Sequence, residues 1–354
     1  MTTNLLASAD LVGTGGRIGP EPEDFVVEEV PAYEPSGEGE HLYLFVQKRQ
    51  LTTPECVDHL ARASGVHSRE IGYAGLKDKH AVTTQWISLP ARGVTDPASW
   101  QLPSSIRLLK ASKHNNKLRT GHLQKNKFRI RIVEGNSNAQ PLAQAIATHL
   151  DQHGLFNYFG AQRFGRGGNN LASALHWLRT NPGRSSRFHR KLYPSVIQSE
   201  VFNRFLNARQ QLGFQKLMLG EVVRLGTGHS VFCVQDLAAE QPRYESGELH
   251  LTGPIVGPKT KQAEGAALEL EQRTIEEVGL SADDLTRLSD FAPGARRDLL
   301  VRPEQLVVES DSTGALVLSF ALPPGSYATE LVREFTRQTP AHEAKPDAQR
   351  SAAD

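Results

Sequence analysis

Cysteine is scarce in this 354-residue chain: Cys56 and Cys233 stand far apart, and neither belongs to a Cys-x-x-Cys pair. That excludes a disulfide framework and points to a reducing compartment. No apolar run approaches the ~20 residues a membrane helix needs, so no membrane partner is expected. Met1–Asp10 has no Lys or Arg ahead of its short Leu5-Leu6-Ala7 patch and makes a poor signal peptide, which places the protein in the cytoplasm. Metal ligands are equally thin. His149 and His153 have the i, i+4 spacing of a helical metal site, but the glutamate of a His-Glu-x-x-His motif and any nearby Cys or His are missing. A solvated helix end is the expectation, with no metal and no cofactor.

Acidic residues are absent from two long stretches. Pro97–Val133 has none, yet holds Arg107, Lys110, Lys113, Lys117, Arg119, Lys125, Lys127, Arg129 and Arg131. Gln152–Ser199 also has none, and holds Arg163, Arg166, Arg179, Arg184, Arg187, Arg190 and Lys191. The formal net charge is only +1, so these blocks create a positive surface on a nearly neutral protein. Aromatics are interleaved with them (Phe128; Phe156, Tyr158, Phe159, Phe164), and the pairing of cations with rings favours RNA as partner.

The first third reads as α+β. Phe25–Val30, His41–Val46, Val82–Leu89, Ile106–Leu109 and Phe128–Val133 have the β-branched and aromatic content of strands. Phe128-Arg129-Ile130-Arg131-Ile132 alternates, giving one apolar and one basic face. A helix opens at Thr53-Pro54-Glu55, with Thr53 as cap, and Gly65 ends it. Pro141–Asp151 reads as a second helix stopping near Gly154. Helices are expected at Leu171–Arg179, Ser195–Leu212 and Ala263–Val278, a strand pair within Gly220–Asp236 around Thr227-Gly228, and a loop at Gly253–Pro258. Strands return at Leu306–Glu309 and Leu316–Phe320, followed by a helix starting near Ser326. The tail at 341–354 is polar and expected to be disordered.

One segment carries chemistry: Gly72-Tyr73-Ala74-Gly75-Leu76-Lys77-Asp78-Lys79-His80. Asp78 lies between two lysines after a glycine-punctuated apolar run. Nearby cations favour an ionised carboxylate, and glycines let another backbone approach. Lys77 and Lys79 could keep Asp78 charged, contact phosphate, or simply be solvated. Gly165-Arg166-Gly167-Gly168 lacks the spacing and Lys-Ser/Thr of a nucleotide P-loop, and reads as an RNA-backbone contact or a turn.

Together with Pro22–Glu29, Lys117–His122 leading to Asn126-Lys127-Phe128, Asn157–Gly165 and Leu322–Thr329, this segment closely resembles the TruD family of tRNA pseudouridine synthases. The resemblance implies a pseudouridine synthase core, a mixed, mostly antiparallel sheet flanked by helices, with a family-specific α/β domain inserted. The expected division is 1–153 plus 304–340 for the catalytic domain and 154–303 for the insertion. It implies cofactor-free conversion of a tRNA uridine, uridine 13 in the D-stem region, with no obligate protein partner. Asp78 is then the catalytic carboxylate, acting on a flipped-out base. Phe128 is the family's stacking candidate, Asn126 pairs with the base edge or holds the Asp78 loop, and Phe25 and Tyr327 resemble pocket residues. The chain departs from the pattern at Tyr327, where Phe is expected, at Lys125, where Gly is common, and at Phe156, where Pro is usual. The Tyr327 hydroxyl needs a partner if buried. The rival readings are a non-enzymatic RNA-binding protein and, more distantly, an Asp-dependent hydrolase of a phosphorylated small molecule.

Overall fold

A computed structural model describes residues 2–180, 182–226, 228 and 230–338. The expected tail at 341–354, Thr227 of the expected hairpin turn and the side chains of Arg166, Arg184 and Arg187 lie outside the described residues. In chain order the elements begin β1 (Gly15–Ile18), β2 (Phe25–Pro31), β3 (His41–Arg49), α1 (Thr53–Ser64), β4 (Gly72–Tyr73), β5 (Val82–Pro90), β6 (Ile106–His114), β7 (Leu123–Gly135) and α2 (Ala139–His153). Then follow β8 (Leu155–Phe156), α3 (Asn169–Thr180), α4 (Arg187–Gln211), β9 (Val222–Leu225), β10 (Val231–Cys233), α5 (Leu237–Glu245), β11 (Leu249–Ile255), α6 (Gly265–Glu277) and α7 (Ala282–Ser289). The last are β12 (Ala295–Asp298), β13 (Leu300–Val301), β14 (Glu304–Ser310), β15 (Leu316–Leu322) and α8 (Ala328–Thr336). None of the described helices is long and apolar enough to cross a membrane.

Nine strands form one sheet in the order β14-β15-β7-β2-β5-β3-β6, with β1 added to β7 and β4 to β5. Every pairing in it is antiparallel except β2 with β5. The expected mixed, mostly antiparallel α+β architecture is thus present. A four-stranded sheet, β10-β9-β11-β12, and the small pair β13-β8 lie in the stretch between β7 and β14.

Alternation fixes what each face of the large sheet carries. Phe128 lies opposite Val27 and Phe320, Ile130 opposite Phe25 and Leu318, and these side chains join α2 and α8 in one buried core. Leu44, Val46 and Ile87 pack under α1 in a second core with Cys56, Val57 and Leu60. Between the two cores the same face turns polar: Lys48, Thr83, Gln85, Glu29 and Asn126 occupy positions where apolar residues would be expected. Arg129 and Lys127 point the other way and are exposed, so β7 has the one apolar and one basic face that its alternation predicts.

Several boundaries differ from the sequence expectation, each for a local reason. Thr52, not Thr53, caps α1: its hydroxyl accepts from the Glu55 amide while the Glu55 carboxylate accepts from the Thr52 amide, a full capping box. Gly65 follows in the left-handed conformation expected of it, φ 73°. Helix α4 begins at Arg187, eight residues before the expected Ser195, and runs through Pro194. Ser186 caps it and the Pro194 ring is buried, so packing sustains a turn that proline would end in an exposed helix. Gly253 sits inside β11 rather than in a loop. A Cβ there would approach Phe202, Phe205 and Leu299 to 2.9 Å, so the glycine serves close packing on α4. Helices α5 and α7 were not anticipated, although Ser281 and Asp284 form a capping box at the start of α7.

Candidate active site

The aspartate segment occupies a fork in the large sheet. β2 pairs with β5 only from Val26–Glu28 against Val82–Thr84. Further along β5 that flank is taken by β4, Gly72 opposite Ser88 and Tyr73 opposite Ile87. Gly72 is required here because a Cβ would collide with the Leu118 carbonyl at 2.2 Å. The loop 74–81 leaves β4 and returns as β5, filling the space between the diverging strands.

Side chains from five elements, α1, β2, β3, β5 and β7, hold that loop. Thr53, released from capping, is fully buried; its Oγ1 accepts from the Lys77 amide at 3.0 Å and donates to Gln85 Oε1 at 2.9 Å. Gln85 Nε2 donates in turn to the Gly75 carbonyl at 3.3 Å. Lys48 Nζ donates to the carbonyls of Leu51 (2.5 Å), Asp78 (2.9 Å) and Lys77 (3.4 Å). Lys77 Nζ reaches Glu29 Oε2 at 2.8 Å and Asn126 Oδ1 at 2.7 Å, with the Lys77 and Glu29 side chains only 6% and 0% exposed. The other Glu29 oxygen accepts from the Trp86 amide at 3.2 Å. Each bond adds about 0.5–1.5 kcal/mol net, and together they specify one loop conformation.

The lysines flanking Asp78 each meet a carboxylate of another element. Lys77 is neither solvated nor aimed at Asp78; its ammonium is buried in the ion pair with Glu29. Lys79 Nζ reaches Glu55 Oε1 at 3.2 Å, and that contact with Lys79 helps hold the Glu55 carboxyl below its usual range, after the larger effect of the Thr52 amide. Asp78 itself is half-buried, and none of the described residues hydrogen-bonds its carboxylate. Burial pushes the Lys48 ammonium down to about 8, with Asp78 among the groups opposing that shift. Burial likewise raises the neighbouring Cys56 thiol to about 12, which keeps it neutral.

Asn126 and Phe128 lie on one face of β7, as their spacing requires, but β7 starts at Leu123 and Asn126 is well inside it. Phe128 is 9% exposed, stacked on Phe320 (5.2 Å, 21°) and edge-on to Phe25 (6.3 Å, 82°). Phe25 and Phe128 are thus packed in the core, with Phe128 two residues along the strand from the side chain that holds Lys77. Tyr327 follows β15, whose Leu322 pairs with Asn126, and so emerges at the same end of the sheet. Its hydroxyl accepts from Arg163 Nε (3.2 Å) and Nη2 (3.0 Å), which supplies the partner its burial demands. Its ring meets Phe159 at 6.0 Å; among the described residues no ring contact joins it to Phe128. Arg297 covers Phe159 at 4.2 Å and donates to Asn157 and to the Gly325 carbonyl, tying the Asn157 segment to the closing one.

Sequence reading missed Lys48, Glu29, Thr53, Gln85 and Arg297. For Lys48 and Glu29 a signal existed, since alternation from Leu44 and Val46, and from Phe25 and Val27, places both on the buried face. Of the basic windows, Arg107, Lys110, Lys113, Arg119 and Arg129 are exposed, whereas Arg131 is bound to Asp311 and Lys125 to Glu304.

Known proteins resemble this one over nearly the whole chain. The family model for tRNA pseudouridine synthase D (TruD) matches residues 4–176 and 185–335. A tRNA pseudouridine synthase D from Anaeromyxobacter sp. (strain Fw109-5) is 42% identical over 346 residues, covering 95% of this chain and 97% of the relative. One from Thermus thermophilus is 40% identical over 329 residues, covering 93% and 90%. The crystal structure of a Methanosarcina mazei protein described as a TruD synthase superposes with a TM-score of 0.74 at 26% identity, covering 95% and 97% of the two chains. With its motifs in order, its sheet forked around the aspartate loop and relatives matched end to end, the chain belongs to the TruD family of tRNA pseudouridine synthases.

Proposed function

We propose that this protein isomerises a uridine of tRNA to pseudouridine, at position 13, with Asp78 as the carboxylate that acts at the ribose. The reaction breaks the N1–C1′ bond, turns the uracil and joins C5 to C1′, while the C5 proton is lost and N1 gains one. No atom is added or removed. The observation that carries the assignment is the contrast at the loop: Lys77 is locked by Glu29 and Asn126, while the adjacent Asp78 carboxylate has no hydrogen bond among the described residues. A group left unpaired on so firmly held a backbone is available to a substrate.

Asn126 has its Oδ1 engaged by Lys77, a pure donor, while its NH2 hydrogen-bonds none of the described residues. We assign that NH2 as donor to a uracil carbonyl oxygen, beside its part in holding the loop. We assign Phe25, packed edge-on against Phe128, and Tyr327, which follows β15 on the other side of β7, to the surroundings of the base from their resemblance to the family's pocket residues. We assign residues 1–153 and 304–340 to the catalytic domain and 154–303 to an inserted one, because the large sheet takes its strands from either side of that stretch. The exposed cations on β6 and β7 suit the tRNA backbone, and the cytoplasm, where tRNA is modified, is the proposed location.

The test is to incubate the protein with an unmodified tRNA transcript and map pseudouridine base by base. A new pseudouridine at position 13 is expected; none anywhere would favour a non-enzymatic RNA-binding role. Phe128 needs a separate test, because its ring also packs the core. Phe128→Ala is expected to cost about 3–5 kcal/mol of stability through the cavity it leaves. Phe128→Leu retains most of the volume but loses the flat ring. If Phe128 stacks on uracil, that variant should slow single turnover ~5- to 150-fold, the equivalent of ~1–3 kcal/mol. An unchanged rate would leave Phe128 as a core residue alone.

A further inference from the structure

Lys48 has no role in the reading so far beyond its contacts. It is 1% exposed, on the inward face of β3 in line with Leu44 and Val46. The charged or titratable groups that influence its ammonium are Cys56 and Glu55 of α1 and Lys77 and Asp78 of the loop. Its partners across the sheet, Thr83 on β5 and Ile106 on β6, carry no charge. Burying an ammonium against carbonyls, with no carboxylate in hydrogen-bond contact, opposes folding, and an apolar side chain would avoid that cost. What it gains is geometric. Three N–H donors meet the carbonyls of Leu51, Lys77 and Asp78, and the last is bonded to the very Cα that bears the carboxylate.

We infer that Lys48 is a positioning residue for the reaction: by gathering these three carbonyls it sets where the Asp78 carboxylate points. The inference rests on the reading of Asp78 as the reacting group. It also has a signature that a purely structural lysine would lack. Burial brings the Lys48 ammonium down to about 8. Above that pH it becomes an amine with two N–H groups for three carbonyls, its lone pair facing an acceptor, and the loop loses its fixed orientation. Because the folded-state value lies below the ordinary lysine value, the unfolded chain binds more protons between the two. Lys48 therefore makes stability rise with pH from about 8 toward about 10.5. Rate and stability should move in opposite directions across that window.

The experiment measures single-turnover rate on a tRNA transcript, tRNA affinity and thermal midpoint against pH for wild type, Lys48→Met and Asp78→Asn. Wild type is expected to lose rate with an apparent pKa near 8 while its thermal midpoint does not fall. Lys48→Met should turn over roughly 100-fold more slowly at neutral pH, as expected for a misplaced reacting group, with tRNA affinity retained and the limb near 8 absent. A Lys48→Met rate close to wild type, or a wild-type rate that stays flat well above pH 8, overturns the inference. Should Lys48→Met fail to fold, the wild-type profile and its thermal midpoint decide alone. An active Asp78→Asn would remove the underlying reading instead, whereas an inactive Asp78→Asn beside an unimpaired Lys48→Met removes only the part assigned to Lys48.

Discussion

Replacing Asp78 by Asn is expected to abolish pseudouridine formation while leaving the fold and tRNA affinity intact. The amide is nearly the same size but carries no charge and is no nucleophile, so the step at the sugar loses its agent. A loss of roughly 10⁴- to 10⁶-fold is the range seen when a nucleophile or its essential partner is removed from other enzymes. Stability should change by less than about 0.5 kcal/mol, because none of the described residues hydrogen-bonds the carboxylate that is altered. Pseudouridine mapping, filter binding and urea denaturation of the same preparation check all three. Activity close to wild type would remove Asp78 from the chemistry; lost binding would make it a contact residue.

The second large effect concerns the neighbouring lysine, and it should appear first in stability. Lys77→Met strips the ammonium from a Glu29 side chain that is 0% exposed. Leaving a buried charge without its partner costs about 3–5 kcal/mol. Glu29 would retain the Trp86 amide, which places the expected loss toward the lower end. Combining Lys77→Met with Glu29→Gln removes both charges and should recover much of the stability, since neutralising both partners is far cheaper than orphaning one. It should not recover turnover, because Asn126 no longer grips the loop. Urea denaturation and single-turnover rates separate the two effects. A loss below about 1 kcal/mol in the single variant would show that the buried pair is not what holds the loop.

How much of this was legible in the sequence depends on whether the cause was local. Alternation in Phe128–Ile132 gave the basic and apolar faces of β7, and Gly65 marked the end of α1, because both depend on near neighbours. Thr53 was expected as the cap, although Thr52-Thr53-Pro54-Glu55 also has the Thr-x-x-Glu spacing of a capping box from Thr52. The capping box with Glu55 decides for Thr52, which frees Thr53 to bond the Lys77 amide 24 residues away. The expected strand began at Phe128, but β15 and β2 pair on either side of Asn126 and extend β7 back through that position. Lys48 was passed over because lysine is seldom buried, although the alternation of β3 already turned it inward. The need for a partner at the Tyr327 hydroxyl was readable from chemistry. That Arg163 supplies it, 164 residues away, was not.

The fork in the large sheet has a bearing on how a nucleotide gets in. The aspartate loop begins on a strand zipped to one end of β5 and finishes as the other end of β5 itself. Swinging it aside would mean unzipping β4 or tearing out a buried ion pair, so it cannot serve as a door. On the function proposed above, the motion then belongs to the RNA: the target nucleoside swings out of its own helix and travels to an anvil that does not move to meet it.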